Sequence, residues 1–217
     1  MADTSISSIK SRRVWDSRGR ATVEAEIELA CGARGRAIAP AGASRGAREA
    51  IDLRDADGLG VRAAVANVNG VIATALSGMD ALKQEAIDRA LIALDGTPNK
   101  ARLGANATVA VSLAALHAAA SAQGVPLFRY LSEGKTVRLP LPEIQIFGGG
   151  AHAGRRIDIQ DLMVMALAAK SFDEALQMTA RVYHAAGELM RDAGKLRGVA
   201  DEGGWWPEFD SNAEAIE

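Results

Sequence analysis

Residues 22–29 alternate without a break, with Val23, Ala25, Ile27 and Leu29 on one side and Thr22, Glu24, Glu26 and Glu28 on the other. A period of two over eight residues is compatible only with an extended chain that has one apolar and one polar face, that is, a half-buried antiparallel strand. Residues 6–15 supply a neighbour on one side. On the other, Ala30-Cys31-Gly32-Ala33 turns the chain into a short third strand ending near Ala39. The opening of the chain therefore predicts a three-stranded meander, which must bury its apolar face against something else.

The next segments supply the cover. Apolar residues at helical spacing predict one helix over 61–76 and a second over 80–94, where Ile87, Leu91 and Leu94 share a face and Asp80 is placed to cap the start. Asp95-Gly96-Thr97-Pro98-Asn99 breaks the pattern, and the alanine-rich run 105–122 reads as a buried helix. His117 lies inside that run with no acidic or thiol partner within a turn, and is expected to be structural. Gly124-Val125-Pro126 ends the helix and Glu133-Gly134-Lys135 links to a second region. These boundaries predict one domain over 1–135 and another over 136–217.

In the second region the pattern changes to short apolar runs, 139–147 and 162–167, followed by a helix from Phe172 to about Ala193 whose start carries the capping box Ser171/Glu174. Strands followed by a helix predict the beginning of an α/β barrel. Ser211 and Glu214 form another capping box close to the last residue. The stretch 139–217 is far shorter than the about 250 residues of a complete eight-stranded barrel, so the second domain is expected to be incomplete.

Composition excludes several classes. With 48% hydrophobic and 24% charged residues the chain is not disordered, and a net charge of −2 gives no field for nucleic acid or an anionic membrane surface. The first fifty residues carry nine cations against six anions, a local excess that suits a small anionic ligand. The N-terminus has no apolar signal region and no window holds eighteen uninterrupted apolar residues, so no membrane span is expected. The single cysteine, Cys31, has no internal partner. It reads as an incidental thiol in a cytoplasmic protein.

Two stretches have chemical content. The loop Pro40-Ala41-Gly42-Ala43-Ser44-Arg45-Gly46 is too rich in small residues to be held by its own packing; it reads either as a plain connector or as a lid whose backbone N–H groups and serine hydroxyl reach an anionic ligand. Asp201-Glu202-Gly203-Gly204, followed by Trp205 and Trp206, reads first as a surface turn. A second reading is open: a carboxylate held against aromatic surface is desolvated, which raises its pKa toward the range of a general acid at neutral pH.

The ordered set of short motifs resembles the enolase family. It comprises Asp16-Ser17-Arg18-Gly19 with Thr22-Val23-Glu24; the Gly42-Ala43-Ser44 and Gly46 loop; Leu94-Asp95-Gly96-Thr97 with Asn99-Lys100; Leu103-Gly104-Ala105-Asn106-Ala107; Gly149-Gly150-Ala151-His152-Ala153; Asp158-Ile159-Gln160; and Asp201-Glu202-Gly203-Gly204. The resemblance implies an α+β N-terminal domain, a meander packed on helices, followed by an α/β (TIM-like) barrel with its site at the strand ends. It implies a lyase of glycolysis and gluconeogenesis, phosphopyruvate hydratase, acting on a small phosphorylated carboxylate, with Mg²⁺ stabilising the enediolate. Carried over by position, Glu202 is the carboxylate that expels the 3-hydroxyl and Asp161 stands at the second catalytic carboxylate. His152 and Gln160 line the substrate, Ser44 reaches the second Mg²⁺ from the loop, and Asp201 is structural. The carboxylates for the first Mg²⁺ and the base lysine fall in family segments beyond Glu217, so the chain is expected to be a fragment or split half, inactive alone. It would work as a homodimer or with a complementing C-terminal half.

Several positions depart from the family pattern. Asp161 replaces a glutamate, retracting the carboxylate by about 1 Å, an offset worth on the order of 10²-fold in rate. Gln145 and Gly148 replace two asparagines, Ala41 and Arg45 replace a serine and a threonine, Arg20-Ala21 replaces Asn-Pro, and Trp205 and Trp206 are bulkier than usual. These departures motivate two alternatives: a paralogue acting on another phosphorylated or phosphonate-bearing hydroxy acid, and a non-catalytic binding or dimerisation module formed by residues 1–135.

Overall fold

The computed structural model describes residues 2–42 and 46–217, which form two compact units, 1–136 and 137–217. The first unit opens with β1 (Ile6–Trp15), β2 (Ala21–Leu29) and β3 (Arg34–Ile38), an antiparallel sheet in that order. The register pairs Ile9 with Ile27 and Ala25 with Ala37, so the alternation predicted for 22–29 becomes one continuous apolar face. Val23, Ala25, Ile27 and Leu29 are all buried.

Helix α4 (Ala105–Ala122) covers that face, packed on β2 and β3. Its alanines are the means of approach. A methyl group added to Gly35 on β3 would lie 2.1 Å from the backbone nitrogen of Ala118, so helix and strand meet backbone to backbone. Ala107, Ala110, Ala114, Ala115, Ala118 and Ala119 are buried along the contact. α4 has the length and apolar composition of a membrane span, and more than half of it is buried inside the protein. His117 lies on the exposed side of this helix.

The helix expected over 61–76 is present with a modification. α1 (Arg62–Asn67) and α2 (Ala73–Leu76) are joined by a π-helical segment, Val68–Ile72. The buried residues Val61, Ala64, Val68, Ile72 and Leu76 recur mostly every four positions. Such a row also fits a helix of 3.6 residues per turn; here part of it lies on the wider π turns. The next helix, α3 (Gln84–Asp95), starts later than expected, with Lys83 at its N-cap and no side-chain cap. Asp80 is engaged elsewhere: its Oδ1 accepts the Thr4 hydroxyl at 2.6 Å and the Leu82 N–H at 3.0 Å.

Several of the recurrent motifs prove to hold this unit together. Asp16 Oδ1 accepts the N–H groups of Arg18 and Arg20 at 2.9 and 2.8 Å, closing the β1–β2 turn, and the Arg18 guanidinium donates to the carbonyl of Ala41. Buried Asn106 pairs with Leu53 like a strand neighbour, accepting its N–H at 3.2 Å and donating to its carbonyl at 3.0 Å. The Asp95 carboxylate gathers the segment by accepting from the Thr97 N–H and hydroxyl and the Leu103 N–H. A short helix, α5 (Leu127–Ser132), closes the unit.

The second unit contains β4 (Glu143–Gly148), β5 (Asp161–Met165), α6 (Phe172–Asp192), β6 (Leu196–Val199), β7 (Trp205–Pro207) and α7 (Asn212–Ile216). The sheet order is β5-β4-β7-β6, with β4 parallel to β7 and the other two pairings antiparallel. Ser171 Oγ caps α6 by accepting the Glu174 N–H, and Ser211 does the same for α7. Phe147 and Phe209 meet edge to face at 5.6 Å beneath the sheet's end. Four strands with α6 form the opening part of an α/β barrel fold.

Candidate active site

The register brings one end of this sheet into focus. β4 and β6 finish there, while β5 and β7 begin, so Gly148, Asp161, Val199 and Trp205 are neighbours although they span more than fifty positions of sequence. Residues 200–204 form the tight connection between β6 and β7. Ala200 donates to the Gly204 carbonyl at 2.7 Å and Gly203 to the Ala200 carbonyl at 3.0 Å, leaving Asp201 and Glu202 at the tip.

Helix α6 fixes this tip from behind. Tyr183 donates its hydroxyl to the Gly203 carbonyl at 2.9 Å, the Trp205 indole N–H donates to the Tyr183 carbonyl at 2.7 Å, and the two rings stack at 4.5 Å. Gly187 makes room, since a methyl group there would lie 2.5 Å from Trp205 Cε2. Gly187→Ala is therefore expected to lower stability by about 1–3 kcal/mol through overpacking and to shift the tryptophan fluorescence, measured by urea unfolding followed at the indole band.

The loop after β4 contributes His152 from a 3₁₀ turn, Gly150–Ala153. Its side chain is only 2% exposed; Nδ1 lies 3.8 Å from Asp201 Oδ2 and Nε2 lies 3.7 Å from Glu202 Oε1. Both separations exceed a hydrogen bond, and neither ring nitrogen has a partner among the described residues. A buried imidazole with two open nitrogens is ready to meet a polar group that enters between the carboxylates. The loop is tied to the β6–β7 hairpin through Glu208, which bridges the guanidiniums of Arg156 and Arg197.

On the other side of Glu202 stands Gln145 of β4. Its Nε2 donates to Asp161 Oδ1 and reaches Glu202 Oε2 at 3.4 Å, and its Oε1 accepts the Gly204 N–H at 2.9 Å. Gln160 Nε2 donates to Asp161 Oδ2 at 3.0 Å. The structure thus brings together Glu202, Asp161, His152 and Gln160 as a set. Two further side chains border the set: Asp201, which the resemblance makes structural and which flanks the imidazole opposite Glu202, and Gln145, which stands out in the sequence only as a departure from the family pattern.

Two expectations change. The indoles after the glycine pair do not enclose the carboxylates: Trp205 packs on α6, Trp206 lies against Gly154, and the side chains of Asp201 and Glu202 are 52% and 49% exposed. Desolvation by aromatic surface is therefore not what prepares Glu202. Ser44, expected to reach a metal, lies outside the described residues. Among the described residues no group of three or more His, Cys, Asp or Glu side chains is placed to hold a metal ion. The carboxylates of Asp161 and Glu202 are linked by an amide, an arrangement that does not fit a Mg²⁺ ion between them.

A meander unit packed on helices, followed by a unit with a carboxylate and imidazole cluster at its strand ends, defines an α+β fold continued by an incomplete α/β fold. Residues 6–131 match the family model described as "Enolase, N-terminal domain", and residues 136–217 match "Enolase, C-terminal TIM barrel domain". The chain belongs to the enolase family, and this membership indicates an enolase-like lyase.

Proposed function

We propose that this chain supplies the acid side of an enolase-like active site for the reversible dehydration of 2-phosphoglycerate to phosphoenolpyruvate. The observation that carries this reading is Glu202: a half-exposed carboxylate at a tight turn, with a buried imidazole 3.7 Å from one oxygen and an amide donor 3.4 Å from the other. In the dehydration direction the C2 proton passes to a base, the C2–H electron pair forms the C2=C3 double bond, and the C3–O bond breaks. Protonated Glu202 gives its proton to the departing oxygen, so that water leaves and a carboxylate remains. In the reverse direction the carboxylate takes a proton from water. His152, with both nitrogens open, binds a substrate oxygen beside it, and Gln160 and Asp161 border the same space.

The family relationship implies Mg²⁺, which the described residues do not assemble a site for, so no step above passes through it. None of the described residues gathered at this site is a lysine that could serve as base. The reading therefore makes these residues contributors to a cytoplasmic site whose base and metal ligands come from other residues. A second reading is favoured by Gln145, which links Asp161 to Glu202 at a position departing from the family pattern: the substrate would then be another phosphorylated or phosphonate-bearing hydroxy acid.

The test follows enolpyruvate absorbance with 2-phosphoglycerate and Mg²⁺, using the chain alone and mixed with a polypeptide carrying the remainder of an enolase barrel. Turnover is expected in the mixture alone. Turnover by the chain alone overturns the shared-site reading. Activity of the mixture on a phosphonate hydroxy acid but not on 2-phosphoglycerate selects the second reading, and inactivity on both rejects the two together.

A further inference from the structure

We infer that Gln145 is a positioning residue whose single amide sets the placement of Asp161 and Glu202, and that its length is matched to the short carboxylate at 161. The inference takes from the proposed function only the role of Glu202; the bridge itself rests on geometry.

The orientation of the amide is dictated by its surroundings. A glutamine amide has one acceptor oxygen and two donor hydrogens. Here the oxygen takes the Gly204 N–H at 2.9 Å, which turns the NH₂ group toward the two carboxylates. A flipped amide would set its oxygen against both carboxylates and its NH₂ against a backbone N–H, losing every contact. One group thus connects three elements: β4, the start of β5, and the turn that carries Glu202. The second oxygen of Asp161 is held by Gln160 at 3.0 Å. With an amide on each oxygen, Asp161 acts on Glu202 through Gln145.

Size matching points the same way. A methyl group built on Gly148 would lie 2.3 Å from the Ala200 Cβ and 3.5–3.6 Å from the amide atoms of Gln145. A side chain at 148 would collide with Ala200, whereas the Gln145 amide stands at ordinary contact distance from that position. Aspartate at 161 withdraws its carboxylate by about 1 Å relative to glutamate, while glutamine at 145 extends one carbon further than asparagine. A long amide at 145 thus meets a short carboxylate at 161, and the bridge closes between them.

The test is a pH titration of the 217-residue chain followed by NMR of the Gln145 side-chain NH₂, assigned by its loss in Gln145→Asn. The NH₂ signals are expected to respond to two ionisations and to exchange with solvent at least about tenfold more slowly than a free glutamine amide. Asp161→Asn should remove one response and Glu202→Gln the other; both replacements are isosteric and keep the turn intact. Gln145→Asn alone should leave the residue-145 amide unresponsive, and the paired change Gln145→Asn with Asp161→Glu should restore its response to ionisation at 161, a rescue that a merely space-filling residue would not show. Signals that follow fewer than two carboxylates, or a paired variant without recovery, overturn the inference. This readout needs no turnover, so an inactive mixture would reject the proposed function and leave the bridge standing.

Discussion

Glu202→Gln is expected to lower turnover of the assembled site by about 10²–10⁴-fold, the range over which a positioned general acid acts. The replacement keeps the shape of the side chain and an oxygen for the Gln145 amide, and removes only the exchangeable carboxyl proton. Because that proton is needed only as the C3–O bond breaks, kcat and kcat/KM should fall together. Stability should move by no more than about 0.5 kcal/mol, since the side chain is half-exposed and makes one long contact. Steady-state kinetics paired with urea unfolding separates the two effects. A loss of activity below tenfold would mean that another group protonates the leaving oxygen.

Asp95→Ala is expected to destabilise the first unit by about 3 kcal/mol. Asp95 is 1% exposed; its Oδ1 accepts the Thr97 N–H at 3.0 Å and the Thr97 hydroxyl, and its Oδ2 accepts the Leu103 N–H at 2.7 Å. Truncation leaves these donors unpaired around a void, and each buried unpaired group costs about 1–3 kcal/mol. Burial works against ionisation of this carboxyl, but the hydrogen bonds from Thr97 and Leu103 and the charge of Lys100 outweigh it and hold the pKa below its ordinary value. A depressed folded-state pKa contributes stability that is fully present above the unfolded value, about 3.9, and disappears as pH falls through the lower folded value. The difference between wild type and Asp95→Asn should therefore hold constant at neutral pH and shrink below about pH 4, as measured by thermal unfolding across a pH series.

Much of the first unit was legible because its signals are local. The alternation at Val23, Ala25, Ile27 and Leu29 specified a strand with one buried face, and the alanine run at 105–122 specified its cover. Where the reading slipped, a competing contact had won. Asp80 has the position of a helix cap, but Thr4, distant in sequence, takes its oxygen, and the row Val68, Ile72, Leu76 is equally compatible with an ordinary helix, so the π segment could not be read from it. At the site, Glu202, His152, Gln160 and Asp161 came from ordered motifs, and the sheet register brings them together. The bridging role of Gln145 was not legible, because it depends on a register shift between Gln145 and Phe147 and on the turn that delivers Gly204. The direction of the indoles was equally hidden: only the space at Gly187 and Gly154 shows where they pack.

The strand order of the second unit also bears on self-association. β5 and β6 are the outer strands of the four, and β5 reads Asp-Leu-Met-Val-Met, with Met163 and Met165 exposed and Leu167 more so just beyond. Such a border, apolar and with no charge after its first residue, is a template on which a second polypeptide can add a strand. Until a neighbour covers it, this margin ties the protein's solubility to its concentration. Light scattering of the purified chain should rise with concentration, and Met163→Lys, which places a charge on the outer strand, should suppress it.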